Sequence, residues 1–173
     1  MTDAGVALRD GVPGDAEAVS AFFAFSFTDT FGHLYPPEDL AEFLKMLSPA
    51  GFRGELEDGV HAFRLAEAGG ALVGYCKLGP PSLPFDAGSR RAIELRQLYI
   101  APSHKGTGLA ATLIEWALDT ARSRGFEDIY LSVFIDNHRA RRFYERYGFV
   151  EVGVYGFKVG NTIDDDRVMR LAL

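Results

Sequence analysis

Apolar positions along this chain change their spacing several times, and each change marks an element. Val6-Ala7-Leu8-Arg9 reads as a short first strand, which Gly11, Pro13 and Gly14 break before Asp15 caps a helix. That helix is expected to run to about residue 27, with Val19, Phe22, Phe23 and Phe27 at helical spacing. Residues 28–35 then lead to a second helix, opened by Pro37 and carrying Leu40, Phe43, Leu44 and Leu47. Phe22, Phe23, Phe25, Phe27 and Phe31 read as core or pocket wall. Strands over 61–67 and 71–78 flank Gly69-Gly70, a glycine pair that predicts a hairpin. Residues 79–90, with Pro80, Pro81 and Pro84, form a long loop of the kind that carries function.

From residue 92 the pattern becomes strand (92–100), loop, helix (108–124), strand (128–135) and helix (137–147). Leu113, Ile114, Ala117, Leu118 and Ala121 give the first of these helices an inner face, and Gly125 and Gly148 are stop signals. Two more strands, 149–157 and 167–171, join through Gly160-Asn161. The expected architecture is a mixed sheet of six to seven strands with about four helices, in the α/β or α+β class.

At 173 residues and 47% hydrophobic, the chain is the size of one domain, 1–173, with a sizeable core. A net charge of −6 argues against nucleic acid and suits a small cationic partner. With no basic, apolar N-terminal segment and no apolar run of about 20 residues, the expectation is a cytoplasmic protein with no membrane partner. Cys76 lies in an apolar run and reads as core, and no Cys/His spacing suggests a metal.

The chemistry begins at Lys105-Gly106-Thr107-Gly108-Leu109-Ala110, between a strand and a helix. Glycines allow close backbone approach, and the amides of a first helical turn lack internal partners, so the string suits a pyrophosphate. Residues 106–111 also satisfy the relaxed dinucleotide pattern, which makes a nucleotide-dependent oxidoreductase a competitor. Five residues separate the strand from Gly106, however, and a second βαβ half is missing.

A second block follows at a fixed distance: Asn137, Ala140, Phe143-Tyr144-Glu145 and Tyr147-Gly148-Phe149. With the glycine loop, residues 98–149 resemble the GNAT superfamily of acyl-CoA-dependent N-acyltransferases. Lys105 stands where the family usually has Gln or Arg, keeping the charge without the guanidinium fork. Residues 27–44, with Thr30-Phe31-Gly32-His33 and Pro37-Glu38-Asp39-Leu40, are similar to the first helices of the bacterial polyamine-acetylating (PaiA-like) branch, and Val73-Gly74-Tyr75 fits as well.

The resemblance implies a V-shaped cleft between strands four and five and acetyl-CoA as co-substrate, with no metal. It places oxyanion and pantetheine contacts on the backbone of Leu98, Tyr99 and Ile100, and the pyrophosphate on the amides of Lys105 to Ala110. Asn137 would contact the pantetheine or acetyl end, or merely cap its helix, and Phe143 would join it in binding the cofactor. Tyr144 is the candidate general acid, since a phenol titrating near about 10 can protonate a nascent thiolate. An amine of pKa about 10.4 needs a base, and Glu94 is the candidate. By strand alternation Glu94, Arg96, Leu98 and Ile100 share one face, where Glu94 either serves as base or pairs with Arg96.

Phe31, His33 and Tyr35 are candidates for the acceptor pocket, His33 with an ordinary loop role as its alternative. Arg139, Arg141, Arg142 and Arg146 form a solvated face, or one of them meets the 3′-phosphate of coenzyme A. Asp29, Glu38, Asp39 and Glu42 read as solvent-facing, and any turned inward would favour a cationic acceptor. The function implied is acetyl transfer to a primary amine of a small molecule, a polyamine first, by direct attack in a ternary complex. An acyl-CoA-binding sensor without turnover and an enzyme for protein or peptide amines are the alternatives. A homodimer is compatible with this reading.

Overall fold

The computed structural model describes residues 5–173. Seven strands, β1 (Ala7–Asp10), β2 (Ala62–Ala68), β3 (Ala71–Gly79), β4 (Ala92–Ile100), β5 (Asp128–Phe134), β6 (Val150–Val159) and β7 (Thr162–Ala172), form one sheet in the order β1-β2-β3-β4-β5-β7-β6. Every neighbouring pair is antiparallel except β4 and β5. A parallel pair needs a crossover, and α4 (Leu109–Ser123) supplies it. The remaining helices are α1 (Ala16–Phe31), α2 (Pro37–Met46), α3 (Pro49–Glu57) and α5 (His138–Arg146).

Strand alternation sorts the helices onto two sides of the sheet. Tyr75 on β3 and Tyr99 on β4 meet Phe22 and Phe23 of α1, with ring centroids 5.9 and 5.3 Å apart. The adjacent Gly74 faces the other way, so close to Leu109 and Ile100 that an added Cβ would lie 3.1 to 3.2 Å from their side chains. α4 therefore packs on the second side, and α5 joins it there, the Tyr147 hydroxyl donating to Glu115 of α4. The predicted inner face of α4 is buried in full, and Gly125 and Gly148 stop their helices at φ 77° and 95°. Gly69 and Gly70, both at positive φ, make the tight turn of the β2–β3 hairpin.

Several expectations change. α3 was not expected; Ser48 caps it by accepting from the Gly51 amide and Pro49 opens it, a start signal without a clear apolar stripe behind it. α1 runs four residues further, to Phe31, because Phe27 and Phe31 continue its aromatic face against the sheet. Phe25 points to solvent and belongs to neither core nor pocket wall. β7 begins at Thr162, five residues before the predicted start, because the acidic run Asp164-Asp165-Asp166 disguised a strand held by β6 and β5. Asp39 is buried, but toward the β6–β7 turn, where it accepts from the Thr162 hydroxyl at 2.8 Å.

Candidate functional site

β4 and β5 pair only at Ala92/Asp128, Ile93/Ile129 and Glu94/Tyr130. Beyond that point they part, leaving residues 95–100 and 131–134 without a ladder across the gap. The cleft that opens there has a volume of about 840 Å³, at the upper end of small-molecule sites. Backbone groups on the inner edges of a splayed pair have no strand partner, which makes them available to a ligand.

A bulge alters the face that β4 presents. Leu78 pairs with Leu95 while Lys77 pairs with Gln97, so Arg96 is an extra residue and the alternation flips. Glu94 consequently shares its face with Gln97 and Tyr99, on the α1 side, whereas Leu98 and Ile100 face α4. This corrects the expectation that Glu94, Arg96, Leu98 and Ile100 align. Glu94 is not paired with Arg96 either: Arg96 donates to the Pro80 carbonyl, while the buried Glu94 carboxylate accepts from the Ser82 amide at 2.6 Å and the Ser82 hydroxyl at 3.1 Å. The proline-rich loop thus fixes the orientation of Glu94.

The α4 and α5 side of the cleft is built for an anion. Gly108, at φ 88°, is the N-cap of α4, and the first bond of that helix runs from the Thr112 amide to the Gly108 carbonyl. The amides of Leu109, Ala110 and Ala111 therefore precede any intrahelical partner and sit at the positive end of a 15-residue helix. Lys105, Gly106, Gly108 and Ala110 line the cleft. Thr107 and Leu109 do not: the Thr107 amide and hydroxyl both bond the His104 carbonyl, and the Leu109 side chain is buried in the core. The Lys105 amide is likewise taken, by the Pro102 carbonyl. Arg139, Arg142 and Arg146 line the cleft, whereas Arg141 turns away to the Ile135 carbonyl and Glu151.

Asn137 caps α5, its side-chain oxygen accepting from the Ala140 amide at 3.3 Å, and it also lines the cleft. Phe143 and Tyr144 follow on α5, their rings 5.3 Å apart, and Tyr144 packs edge-on against Phe149. The half-buried Tyr144 phenol is pushed above its ordinary range by enclosure, and next by Cys76 and Tyr99. It keeps its proton throughout the neutral range. Cys76 is fully buried and burial pushes its thiol up, as a core residue requires.

The α1 side has the opposite character. Phe27, Phe31, Tyr35 and Phe157 form an aromatic wall. His33 is exposed and does not line the cleft, because the turn after α1 points it outward. Two residues that the sequence reading missed stand here, Asp164 and Asp166. The Tyr35 hydroxyl donates to Asp164, and Asp166 is 6% exposed. Their i, i+2 spacing in a polar strand was the available signal, obscured because the strand was started too late. Lys77 and Glu55 complete this wall as an ion pair at 2.7 Å.

The comparisons with known proteins agree with this geometry. The model of the Acetyltransferase (GNAT) family matches residues 20–149. An uncharacterized N-acetyltransferase of Mycobacterium tuberculosis is 35% identical over 156 residues, 90% of this chain and 96% of the relative. The spermidine N(1)-acetyltransferase of Vibrio cholerae is 47% identical over 58 residues, covering 33% of this chain and 34% of that protein. Among solved structures, the PaiA N-acetyltransferase of Thermoplasma acidophilum in complex with coenzyme A superposes with a TM-score of 0.76 at 20% identity, covering 97% of this chain and 99% of that one. The V. cholerae spermidine N-acetyltransferase in complex with CoA and spermine gives 0.67 at 25%, covering 98% and 96%. The glycine loop, the splayed strands and the family match together identify this chain as a member of the GNAT family of N-acetyltransferases.

Proposed function

We propose that the protein transfers an acetyl group from acetyl-CoA to a primary amine of a small polyamine-type molecule, by direct attack in a ternary complex. The observation that carries this reading is the polarity of the cleft, with arginines, Lys105 and free helix amides on one side of the sheet and, on the other, Glu94, Asp164 and Asp166, none of them salt-bridged among the described residues. An acyl-CoA is a polyanion and an alkylamine a cation, so each side suits one reactant.

The residues present fit coenzyme A. The amides at the start of α4 suit its pyrophosphate, and Lys105, Arg139, Arg142 and Arg146 stand near for the remaining phosphate charge. The backbone of Leu98, Tyr99 and Ile100 offers the open edge of β4 to the pantetheine and to the oxygen that gains charge during transfer. Asn137 orients the acyl end from the cap of α5. Acetyl-CoA supplies the activated thioester.

Glu94 accepts the proton of the attacking amine, directly or through one water, and Ser82 holds its carboxylate toward the acceptor side. Tyr144 donates a proton to the departing sulfur from the opposite side. Placing the base and the acid on different faces of the sheet matches the direction of transfer, from the amine on the α1 side to the departing sulfur. A thiol-release assay at saturating acetyl-CoA, across polyamines, amino acids, aminoglycosides and peptide amines, tests the reading. Turnover is expected with polyamines. Turnover restricted to peptides would replace the acceptor class, and coenzyme A binding with no turnover on any amine would make the protein a sensor.

A further inference from the structure

Asp166 is a buried carboxylate without a counter-ion. Its Oδ1 has no hydrogen-bond partner among the described residues, and it faces the cleft. Neither Asp166 nor Asp164 is salt-bridged to a described lysine or arginine; Arg167, the nearest in sequence, is committed to Asp165 and Glu151 on the other face of β7. A buried charge in this state is costly unless a cation meets it or a proton neutralises it.

Resting on the proposed amine acetylation, we infer that Asp166, with Asp164 held in place by Tyr35, binds a second, non-reacting ammonium of the acceptor and selects polyamines over monoamines. The surroundings favour an organic cation. Phe27, Phe31 and Tyr35 stand around the carboxylates, and aromatic faces attract alkylammonium groups. A metal ion would find only these two carboxylates, since no group of three His, Cys, Asp or Glu side chains able to hold one occurs among the described residues. Spacing adds a length constraint. Glu94 pairs with Tyr130 while Asp166 pairs with Phe134, four residues further along β5. The two carboxylates are thus offset by about 13 Å along the strand, at about 3.3 Å per residue, and stand on strands to either side of β5, about 10 Å apart across the sheet. An acceptor spanning from the base to Asp166 is a long aliphatic amine with nitrogens at or near both ends.

The test compares spermidine with a neutral-ended amino alcohol of equal length on the wild type and Asp166→Asn. The wild type is expected to prefer spermidine, and Asp166→Asn to lose about 10- to 100-fold in kcat/KM for spermidine only, the scale of one charge-assisted contact. The acetyl-CoA Kd should stay unchanged. Asp164→Asn should move the preference in the same direction. A wild type that does not discriminate, or an Asp166→Asn variant that discriminates equally, overturns the inference. Calorimetric binding of spermidine separates this from failure of the enzymatic reading. Binding that depends on Asp166 without turnover upholds the site and removes the reaction; absence of wild-type binding removes the site whether or not amines are acetylated.

Discussion

Lys77 Nζ lies 2.7 Å from Glu55 Oε2, tying the centre of β3 to α3 from inside the cleft. Phe52 and Phe63 enclose the ammonium, their ring centroids 5.1 and 5.8 Å away. Burial pulls the lysine pKa down, and Glu55 opposes that pull. Lys77 is buried while Glu55 is partly exposed, so Glu55→Gln leaves the ammonium with a neutral partner and should destabilise the fold by about 1–3 kcal/mol in urea denaturation at neutral pH. With its folded pKa below the ordinary 10.5, Lys77 sheds its proton sooner in the folded than in the unfolded chain. Stability therefore rises as pH climbs toward that value, and the deficit of Glu55→Gln should shrink at alkaline pH. Lys77→Met added to Glu55→Gln should restore most of the loss. A Glu55→Gln variant with a wild-type midpoint would mean that water already solvates the pair.

Asp166 predicts a pH dependence of the opposite sign. Burial first, then Asp164 and Asp165, push its carboxyl up to about 7, against Ser132 and Arg167; Tyr99 and Tyr35 face the same region without offering a cation. Between the ordinary value of 3.8 and about 7, the folded chain holds a proton that the unfolded chain has released. The contribution is thus fully present below 3.8 and is lost as pH rises through 7. Asp166→Asn should match the wild type in Tm near pH 4 and exceed it at pH 8. A variant less stable than wild type at both values would show that the carboxylate supports the fold.

How much of this was legible in the sequence depends on where the determining interactions lie. The glycine loop and the cap at Asn137 are local, set by a few neighbouring residues, and they were readable. The Gly69-Gly70 turn and the inner face of α4 were readable for the same reason. The face on which Glu94 sits was not, because it depends on a bulge defined by the pairing of β4 with β3. Of the two readings of His33, its exposed place in the turn after α1 fits the ordinary loop role, a direction set by that one turn. Asp164 and Asp166 were missed because their strand is stabilised by two neighbours rather than by its own propensity.

Gly108 tests the anion side. Its φ of 88° lies in the left-handed region, and the residue both opens α4 and lines the cleft. Gly108→Val adds a branched side chain where phosphate would approach, together with backbone strain of about 1–3 kcal/mol. Coenzyme A affinity by calorimetry should fall sharply in a variant that still melts cooperatively. Gly106→Ala, also at positive φ but with open space around its Cβ, should share the strain and lose less affinity. Unchanged affinity in folded Gly108→Val would place the cofactor elsewhere.

Tyr144 carries both a packing and a chemical reading, and they make different demands on its hydroxyl. The ring packs against Phe143 and Phe149, which Tyr144→Phe preserves, so stability and acetyl-CoA affinity should stay near wild type. A proton donor predicts that turnover falls by roughly 10² to 10⁴, measured under conditions where chemistry limits the rate. Because enclosure pushes the phenol above its usual range, its ionisation should not set the alkaline limb of the wild-type profile near neutrality. The loss in Tyr144→Phe should also be smaller with an acyl donor whose thiol has a lower pKa, since that sulfur leaves with less help. A thiol-independent loss would assign the hydroxyl to positioning, and wild-type turnover on a confirmed acceptor would leave Tyr144 as a wall of the cleft.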